Sequence, residues 1–247
     1  MNWHIPRLAP GEDFPPASQA LPELSPFPGL LAAGGQLDVD TLERAYRCGI
    51  FPWFSPGEPI LWWSTDPRMV LRPEQLRVHR SLRQSARRWM CKPDARLCMD
   101  RGFSRVMREC GAQRASSGSW ISPPMLQAYT ALHQRGLAHS LELWEGEVLR
   151  AGLYGVCIGR MFYGESMFTT VTDGSKILLM ALCGFCLRNG IAMIDCQQQT
   201  AHLASLGAAP IPRDDFLNQV AQATADTAVA GWQYDWPTFE TDCARWL

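Results

Sequence analysis

The sequence predicts an α+β protein, with a small N-terminal domain over residues 1–66 and a mixed-sheet α/β domain over residues 67–247. Three observations carry that prediction. After Arg68 the apolar residues switch between runs of period two and stripes of helical period. Three period-two runs follow one another across the turn pairs Glu145-Gly146 and Ile158-Gly159, the pattern of an antiparallel meander. Before Arg68 the chain is dominated by proline, glycine and aromatic residues, and Asp66-Pro67 marks the change.

The first twenty-eight residues, rich in Pro, Ser and acidic groups, read as irregular chain wrapped on a surface. Gly29–Gly35 is a Gly/Leu/Ala stretch. Asp38 is placed to cap a short helix whose apolar face is Leu42, Ala45 and Tyr46, and Gly49 supplies its left-handed stop. Phe51–Trp63, broken by three prolines and a glycine, reads as ordered aromatic chain without regular elements. Strands are expected at Met69–Leu71 and Arg96–Asp100, with a basic helix over Ser81–Met90 between them. Ser122-Pro123 is an N-cap followed by proline at the first helical position, and Gly136 closes that helix. The meander occupies His139–Trp144, Glu147–Val156 and Met161–Met167. Ser175–Asn189 is apolar almost all round, which predicts a buried helix. A strand at Ile191–Gln197 and a helix at Asp214–Ala223 complete the series. A meander, a buried helix and then a strand bearing polar residues is the order of an acetyltransferase-like (GNAT) core.

Composition narrows the function. The chain is 47% hydrophobic and 19% charged, which suits a folded core and excludes disorder. With a net charge of −1, affinity for a polyanion must come from a local patch. Met1–Pro10 lacks the apolar run of a secretory leader, and no window approaches a membrane span. The nine cysteines therefore read as reduced thiols of a cytosolic protein, and the Cys183/Cys186 pair, in mid-helix, as packing rather than a metal or redox site.

Three features could carry chemistry. On the strand Ile194-Asp-Cys-Gln197, residues two apart share a face, so Asp195 and Gln197 are expected to point together, as a pair orienting an amine or a carbonyl. The plainer alternative is that they cap a neighbouring loop. In Phe162-Tyr-Gly-Glu-Ser-Met-Phe168, Glu165 interrupts an apolar strand and needs a partner or a role, an arginine ion pair being the structural alternative. Arg72 to Lys92 holds seven Lys/Arg and one acid, Glu74. Arg80, Arg83 and Arg87 fall on one helix face, opposite Leu82, Ala86 and Trp89, with Arg88 beside them. Such a face fits nucleic acid, although a basic run is more often merely solvated.

Taken together, these pieces resemble the leucyl/phenylalanyl-tRNA–protein transferases. The matching residues are Gly29-Leu-Leu-Ala-Ala-Gly-Gly35, Gly49-Ile-Phe-Pro-Trp-Phe-Ser-Pro-Gly57, Pro59-Ile-Leu-Trp-Trp-Ser64 and Asp66-Pro-Arg68. Further on they are Gly118-Ser-Trp-Ile121, Gly164-Glu-Ser-Met-Phe168, Ser175-Lys176, Ile194-Asp-Cys-Gln197 and Ala204-Ser-Leu-Gly-Ala208. The departures are modest: Ser119 stands where threonine is usual, and Ala209-Pro210 replaces a more polar pair. The resemblance implies transfer of Leu or Phe, and less well Met, from aminoacyl-tRNA to a protein whose N-terminal residue is Arg or Lys. The product is marked for degradation by the N-end rule pathway. It implies no ATP, metal or CoA, because the ester is already activated.

On that basis Asp195, held by Gln197, is expected to draw the amine's proton, and Glu165 to hold the acceptor's cationic N-terminal residue. Trp53, Trp120, Phe162, Ser166, Met167 and Phe168 are expected to form the apolar pocket and the platform for the tRNA's terminal adenine. Arg80, Arg83, Arg87, Arg88 and Lys176 are expected to contact the tRNA, and the chain to act as a monomer. Two other readings compete. An acyl-CoA N-acyltransferase would need a glycine-rich pyrophosphate loop, and Thr169–Lys176 has one glycine. A non-catalytic RNA-binding protein would leave the aromatic block and the Asp195/Gln197 pair without a purpose.

Overall fold

Asp38 and Gly49 bound the first helix as their chemistry predicts. The Asp38 carboxylate accepts the Thr41 amide at 2.8 Å, satisfying an N–H that the first turn leaves unpaired, and Gly49 takes φ +69° after the last turn. The computed structural model describes residues 3–114 and 118–247. This helix, α1 (Val39–Arg47), packs beside a four-stranded sheet of order β1-β2-β4-β3, built from β1 (Arg7–Leu8), β2 (Leu30–Gly34), β3 (Phe51–Pro52) and β4 (Leu61–Trp63). The aromatic block, expected to lack regular elements, thus contains two short strands. Their indoles are used internally: Trp62 donates to the Gly34 carbonyl at 2.9 Å and Trp63 to that of Trp53 at 2.6 Å.

The remaining strands form one seven-stranded sheet, order β11-β5-β10-β9-β8-β7-β6. They are β5 (Arg68–Leu71), β6 (Ala95–Met99), β7 (Ala138–Glu145), β8 (Val148–Ile158), β9 (Met161–Thr169), β10 (Ile194–Gln197) and β11 (Ala209–Ile211). The expected meander is β7-β8-β9. Every pairing in the sheet is antiparallel except β9 with β10, which run parallel because α5 (Gly174–Arg188) connects them. The fold is therefore mixed α+β. The expected domain boundary at residues 66/67 lies between the two sheets, yet one apolar cluster runs from Leu30 and Tyr46 through to Tyr129 and Phe216.

The helices cover both faces of the large sheet. On one side lie α1, α3 (Phe103–Gln113), α4 (Pro123–Gln134) and α7 (Arg213–Ala225); α3 was not anticipated from the sequence. On the other lie α2 (Arg80–Met90), α5 and α8 (Trp236–Asp242). The short α6 (Ala201–Ser205) follows β10. Buried residues of α5 run unbroken from Ile177 to Cys186, which explains a helix apolar all round, and both of its thiols are free and buried. The C-terminal tail is pinned by Trp232, whose ring lies flat on His139 with centroids 3.5 Å apart. The nitrogens of His139 in turn meet Asp100 Oδ2 and the Gly136 carbonyl. Among the described residues no helix is long and apolar enough to cross a membrane.

Candidate active site

The parallel strands β9 and β10 pair only at Ile194–Phe162 and Asp195–Tyr163. Beyond that point β9 continues to Thr169 while β10 stops at Gln197, and the two edges part. A cavity of about 410 Å³ opens there, lined by Gly164, Glu165, Ser166 and Met167 of β9 and by Ile194, Cys196, Gln197 and Gln198 at the end of β10. Leu153, Leu179 and Leu182 close its apolar end, Thr200, His202 and Leu203 border it, and Phe51, Pro52, Trp53, Arg114 and Trp120 form the rest of the wall.

Glu165 reaches this cavity through a bulge. Tyr154 pairs with Ser166 and Gly155 with Gly164, so Glu165 is the extra residue on β9 with no opposite number on β8. A bulge of this kind re-aims a side chain that strict alternation would place elsewhere. Gly155 is required for it, since a Cβ there would collide with the Tyr163 carbonyl oxygen. The Glu165 carboxylate accepts from the Tyr46 hydroxyl at 2.6 Å, the Tyr129 hydroxyl at 3.2 Å and the Gln197 side-chain amide at 2.9 Å. The two phenol oxygens also hydrogen-bond to each other. None of these partners is a cation, so the arginine ion pair considered from the sequence does not form among the described residues. Burial pushes the Glu165 carboxyl up to about 7, against the pull of the hydrogen bonds and with the help of Asp195's charge.

Asp195 is treated differently. Its side chain is 0% exposed and both oxygens are taken. Arg68 Nε donates to Oδ1 at 2.8 Å and Arg68 Nη2 to Oδ2 at 2.6 Å, a bidentate pair. Oδ1 also accepts the Gln197 backbone amide at 2.8 Å. Arg68 itself is fully buried, donates to the Gly49 carbonyl at 3.2 Å, and lies between the rings of Phe51 and Phe216. The backbone of Gln197 is left-handed, φ +60°, and the register against β5 shifts between Asp195 and Gln197. Gln197 is thus aimed at Glu165 by a strained turn that the Asp195 carboxylate holds, not by strand alternation.

Residues 70–221 match the family model described as Leucyl/phenylalanyl-tRNA protein transferase, and residues 35–66 match the model for that family's N-terminal domain. Similar proteins named leucyl/phenylalanyl-tRNA–protein transferase include one from Ralstonia pickettii (strain 12J), 52% identical over 92% of this chain and 93% of its own length. Another, from Cupriavidus metallidurans, is 50% identical over 97% of this chain and 95% of its own. A third, from Polaromonas sp. (strain JS666), is 53% identical over 94% and 91%. The chain belongs to the leucyl/phenylalanyl-tRNA–protein transferase family.

Within this aminoacyltransferase the residues expected at the site divide. Trp53, Trp120, Glu165, Ser166, Met167 and Gln197 all line the cavity. The Oγ of Ser166 is buried, against the Cys110 thiol of α3. Phe162 and Phe168 do not line it: the first packs toward Phe185 and Trp232, the second into the core beneath α3, on the face opposite Met167. Leu153, Leu179, Leu182 and Ile194 supply its apolar lining instead. Asp195 does not line the cavity either: both of its oxygens are engaged by Arg68, and Oδ1 also holds the Gln197 backbone amide.

Of the residues expected to meet tRNA, Arg80, Arg83 and Arg88 are exposed on α2, opposite the buried Leu82, Ala86 and Trp89. Arg87 is bound to the Leu247 carbonyl, and Lys176 is paired with Asp173 at 3.0 Å. That pairing places an acid at the start of α5, where a phosphate would have to sit, so neither a tRNA phosphate nor a CoA pyrophosphate is favoured there. Sequence reasoning missed Arg68, Tyr46 and Tyr129 as site residues. Arg68 stood within a family motif and Tyr46 on the core stripe of α1, but nothing local ties either to a carboxylate more than a hundred residues away.

Proposed function

We propose that this enzyme transfers leucine or phenylalanine, and less well methionine, from aminoacyl-tRNA to proteins whose N-terminal residue is arginine or lysine. It acts as a monomer in the cytosol and marks its acceptors for the N-end rule pathway. The observation that carries the reading is a cavity joining an apolar end to a carboxylate that has no cationic partner among the described residues, with two tryptophans in its wall. Leu153, Met167, Leu179, Leu182 and Ile194 offer a surface for an unbranched-Cβ apolar side chain. A misfit of one methylene there costs about 1–3 kcal/mol, so discrimination among Leu, Phe and Met is graded. Trp53, 41% exposed, and Trp120 offer ring faces to the terminal adenine, and Arg80, Arg83 and Arg88 offer charge to the tRNA backbone.

Among the described residues Glu165 is the one carboxylate lining the cavity, and while ionised it draws in the acceptor's cationic N-terminal residue. The Arg68–Asp195 pair fixes the turn at Gln197, whose amide nitrogen is spent on Glu165 and whose amide oxygen is left to accept from the amine. No metal, ATP or CoA enters the reaction, because aminolysis of the ester needs only orientation and proton transfer.

The test is transfer of radiolabelled phenylalanine from Phe-tRNA to a protein beginning with arginine. Ribonuclease-sensitive labelling, strongly reduced in Gln197→Ala and Asp195→Ala, is expected. Absence of labelling by the folded wild-type enzyme would defeat the reading and turn attention to thioester donors.

A further inference from the structure

We infer that Glu165 itself takes the proton of the attacking amine, and that Tyr46 and Tyr129 are the positioning residues that hold its carboxylate ready to do so. The inference rests on the aminoacyl transfer proposed above. An N-terminal ammonium, with an ordinary pKa of about 7.7–8.0, cannot attack an ester until it loses a proton. Asp195 does not line the cavity and is occupied by Arg68. His202 stands on the exposed border. Glu165 is at the centre, on a bulge that turns it inward.

The geometry around Glu165 suits a group that gains and loses a proton without structural change. Four elements converge on the carboxylate: the β9 bulge that bears it, α1 with Tyr46, α4 with Tyr129 and β10 with Gln197. The hydroxyls of Tyr46 and Tyr129 touch each other as well as the carboxylate. When Glu165 is ionised, both O–H groups and the Gln197 amide point at it. When it is protonated, one phenol turns to the other and the new carboxylic O–H takes its place, so each oxygen of the triangle stays bonded in both states. Both phenols are pushed well above their usual range by burial and by Glu165's charge, so they remain donors throughout. The carboxyl's value of about 7 lies close to that of the amine, which is where proton transfer between them is most efficient. The other titratable groups facing it are Tyr154 of β8, Arg114 at the end of α3, the Asp195–Arg68 pair behind Gln197, and Cys196 and His202 along the cavity.

The protons balance. The ammonium gives one proton to the Glu165 carboxylate, and the free amine attacks the ester carbonyl carbon to form a C–N bond. The second proton, now on the cationic nitrogen of the tetrahedral adduct, passes to the ribose oxygen as its C–O bond breaks. Amide and tRNA hydroxyl leave, and Glu165 releases its proton to solvent, one proton per transfer.

The experiment is the pH–rate profile of phenylalanine transfer to a peptide beginning with arginine, at saturating acceptor, for wild type, Glu165→Gln, Tyr46→Phe and Tyr129→Phe. Glu165→Gln keeps the shape and can reproduce the bonding of the protonated acid, its amide N–H donating to a phenol, but cannot ionise. It should lower kcat by about 10²–10⁴, and its residual rate should follow the amine alone, rising near pH 8. Each Tyr→Phe removes a donor to the ionised form, so the acid limb should move to higher pH with the largest loss on its acid side. A Glu165→Gln enzyme with near-normal kcat and an unchanged limb would overturn the assignment of the base. Tyr→Phe losses equal at every pH would reduce the tyrosines to structural supports. Titration of the Glu165 carboxylate by infrared difference against Glu165→Gln needs no turnover, and absence of a band changing between about pH 6 and 8 would also overturn the proposal. A wild type that transfers nothing at any pH would defeat the functional reading, and the inference with it.

Discussion

Asp195 on β10 and Glu165 on β9 stand on neighbouring strands, and the protein withdraws both from bulk water by opposite means. Asp195 is sealed in a bidentate pair with Arg68, and its charge is answered by a full opposite charge. Glu165 is answered by two phenols and an amide, and keeps part of its surface open to the cavity. A carboxylate sealed against a guanidinium has no face left for a substrate. One held by neutral donors can still change state, and change is what a site that moves protons requires.

Removing the cation is the strongest way to break this comparison. Arg68→Ala leaves Asp195 buried and unpaired, a situation that costs about 3–5 kcal/mol. Urea unfolding of Arg68→Ala, Asp195→Asn and an Arg68→Met/Asp195→Asn double variant should show the double variant losing much less than the sum of the singles. Additive losses would mean that the two side chains are not energetically coupled.

Glu165 gives the next largest effect, and its sign is opposite to that of an ordinary ion-paired acid. Its carboxyl rises from an ordinary 4.5 to about 7 in the fold, so the folded state binds this proton more tightly than the unfolded chain. The stabilisation is complete below about pH 4.5 and is lost as pH climbs through about 7. That difference is worth roughly 2–3 kcal/mol, allowing for screening through the cavity. Glu165→Gln should therefore be more stable than wild type at pH 8 and gain little at pH 5, read as thermal midpoints at the two values. An equal shift at both would show that the carboxyl does not titrate in this range.

The same two residues mark how far the sequence could be read. Element types followed from local chemistry: the Asp38 and Ser122 caps, the glycine turns of the meander and the all-apolar α5 each have their cause within a few residues. The cavity residues that lay in family motifs, such as Trp53, Trp120, Glu165 and Gln197, were legible by resemblance. What escaped was pairing across the chain. Arg68 and Asp195 are 127 positions apart, and Tyr46 and Glu165 are 119. The assumption that alternation aims side chains failed at the β9 bulge and at the left-handed Gln197, the two places where the backbone departs from an ideal strand to build the site. Phe162 and Phe168 were misplaced for a related reason, since periodicity separates two faces without saying which one borders a cavity.

The bulge can be tested directly. A methyl at Gly155 would collide with the Tyr163 carbonyl and lie 2.6 Å from the Phe162 ring, so the strand must shift. Gly155→Ala should cost about 1–3 kcal/mol by urea unfolding. It should also displace Glu165 from its tyrosines, moving the carboxyl further from its ordinary value as donors are removed. If the infrared titration of Glu165 is unaltered in a destabilised Gly155→Ala protein, the bulge supports the fold but does not aim the carboxylate.

Charges in full solvent complete the contrast. Arg80, Arg83 and Arg88 project from α2 with no side-chain ion pair or hydrogen bond among the described residues. Their replacement by alanine should leave unfolding free energies within about 0.5 kcal/mol of wild type, because an exposed charge has little desolvation to recover. Their effect should instead appear in binding of Phe-tRNA. Each arginine that neutralises a phosphate should, when replaced, flatten the logarithmic dependence of affinity on salt by about 0.7–0.9. Arg87, held by the chain's last residue, and Lys176, held by Asp173, should give smaller changes in that slope. A salt dependence unchanged in the triple variant would place the tRNA on another surface without bearing on the role proposed for Glu165.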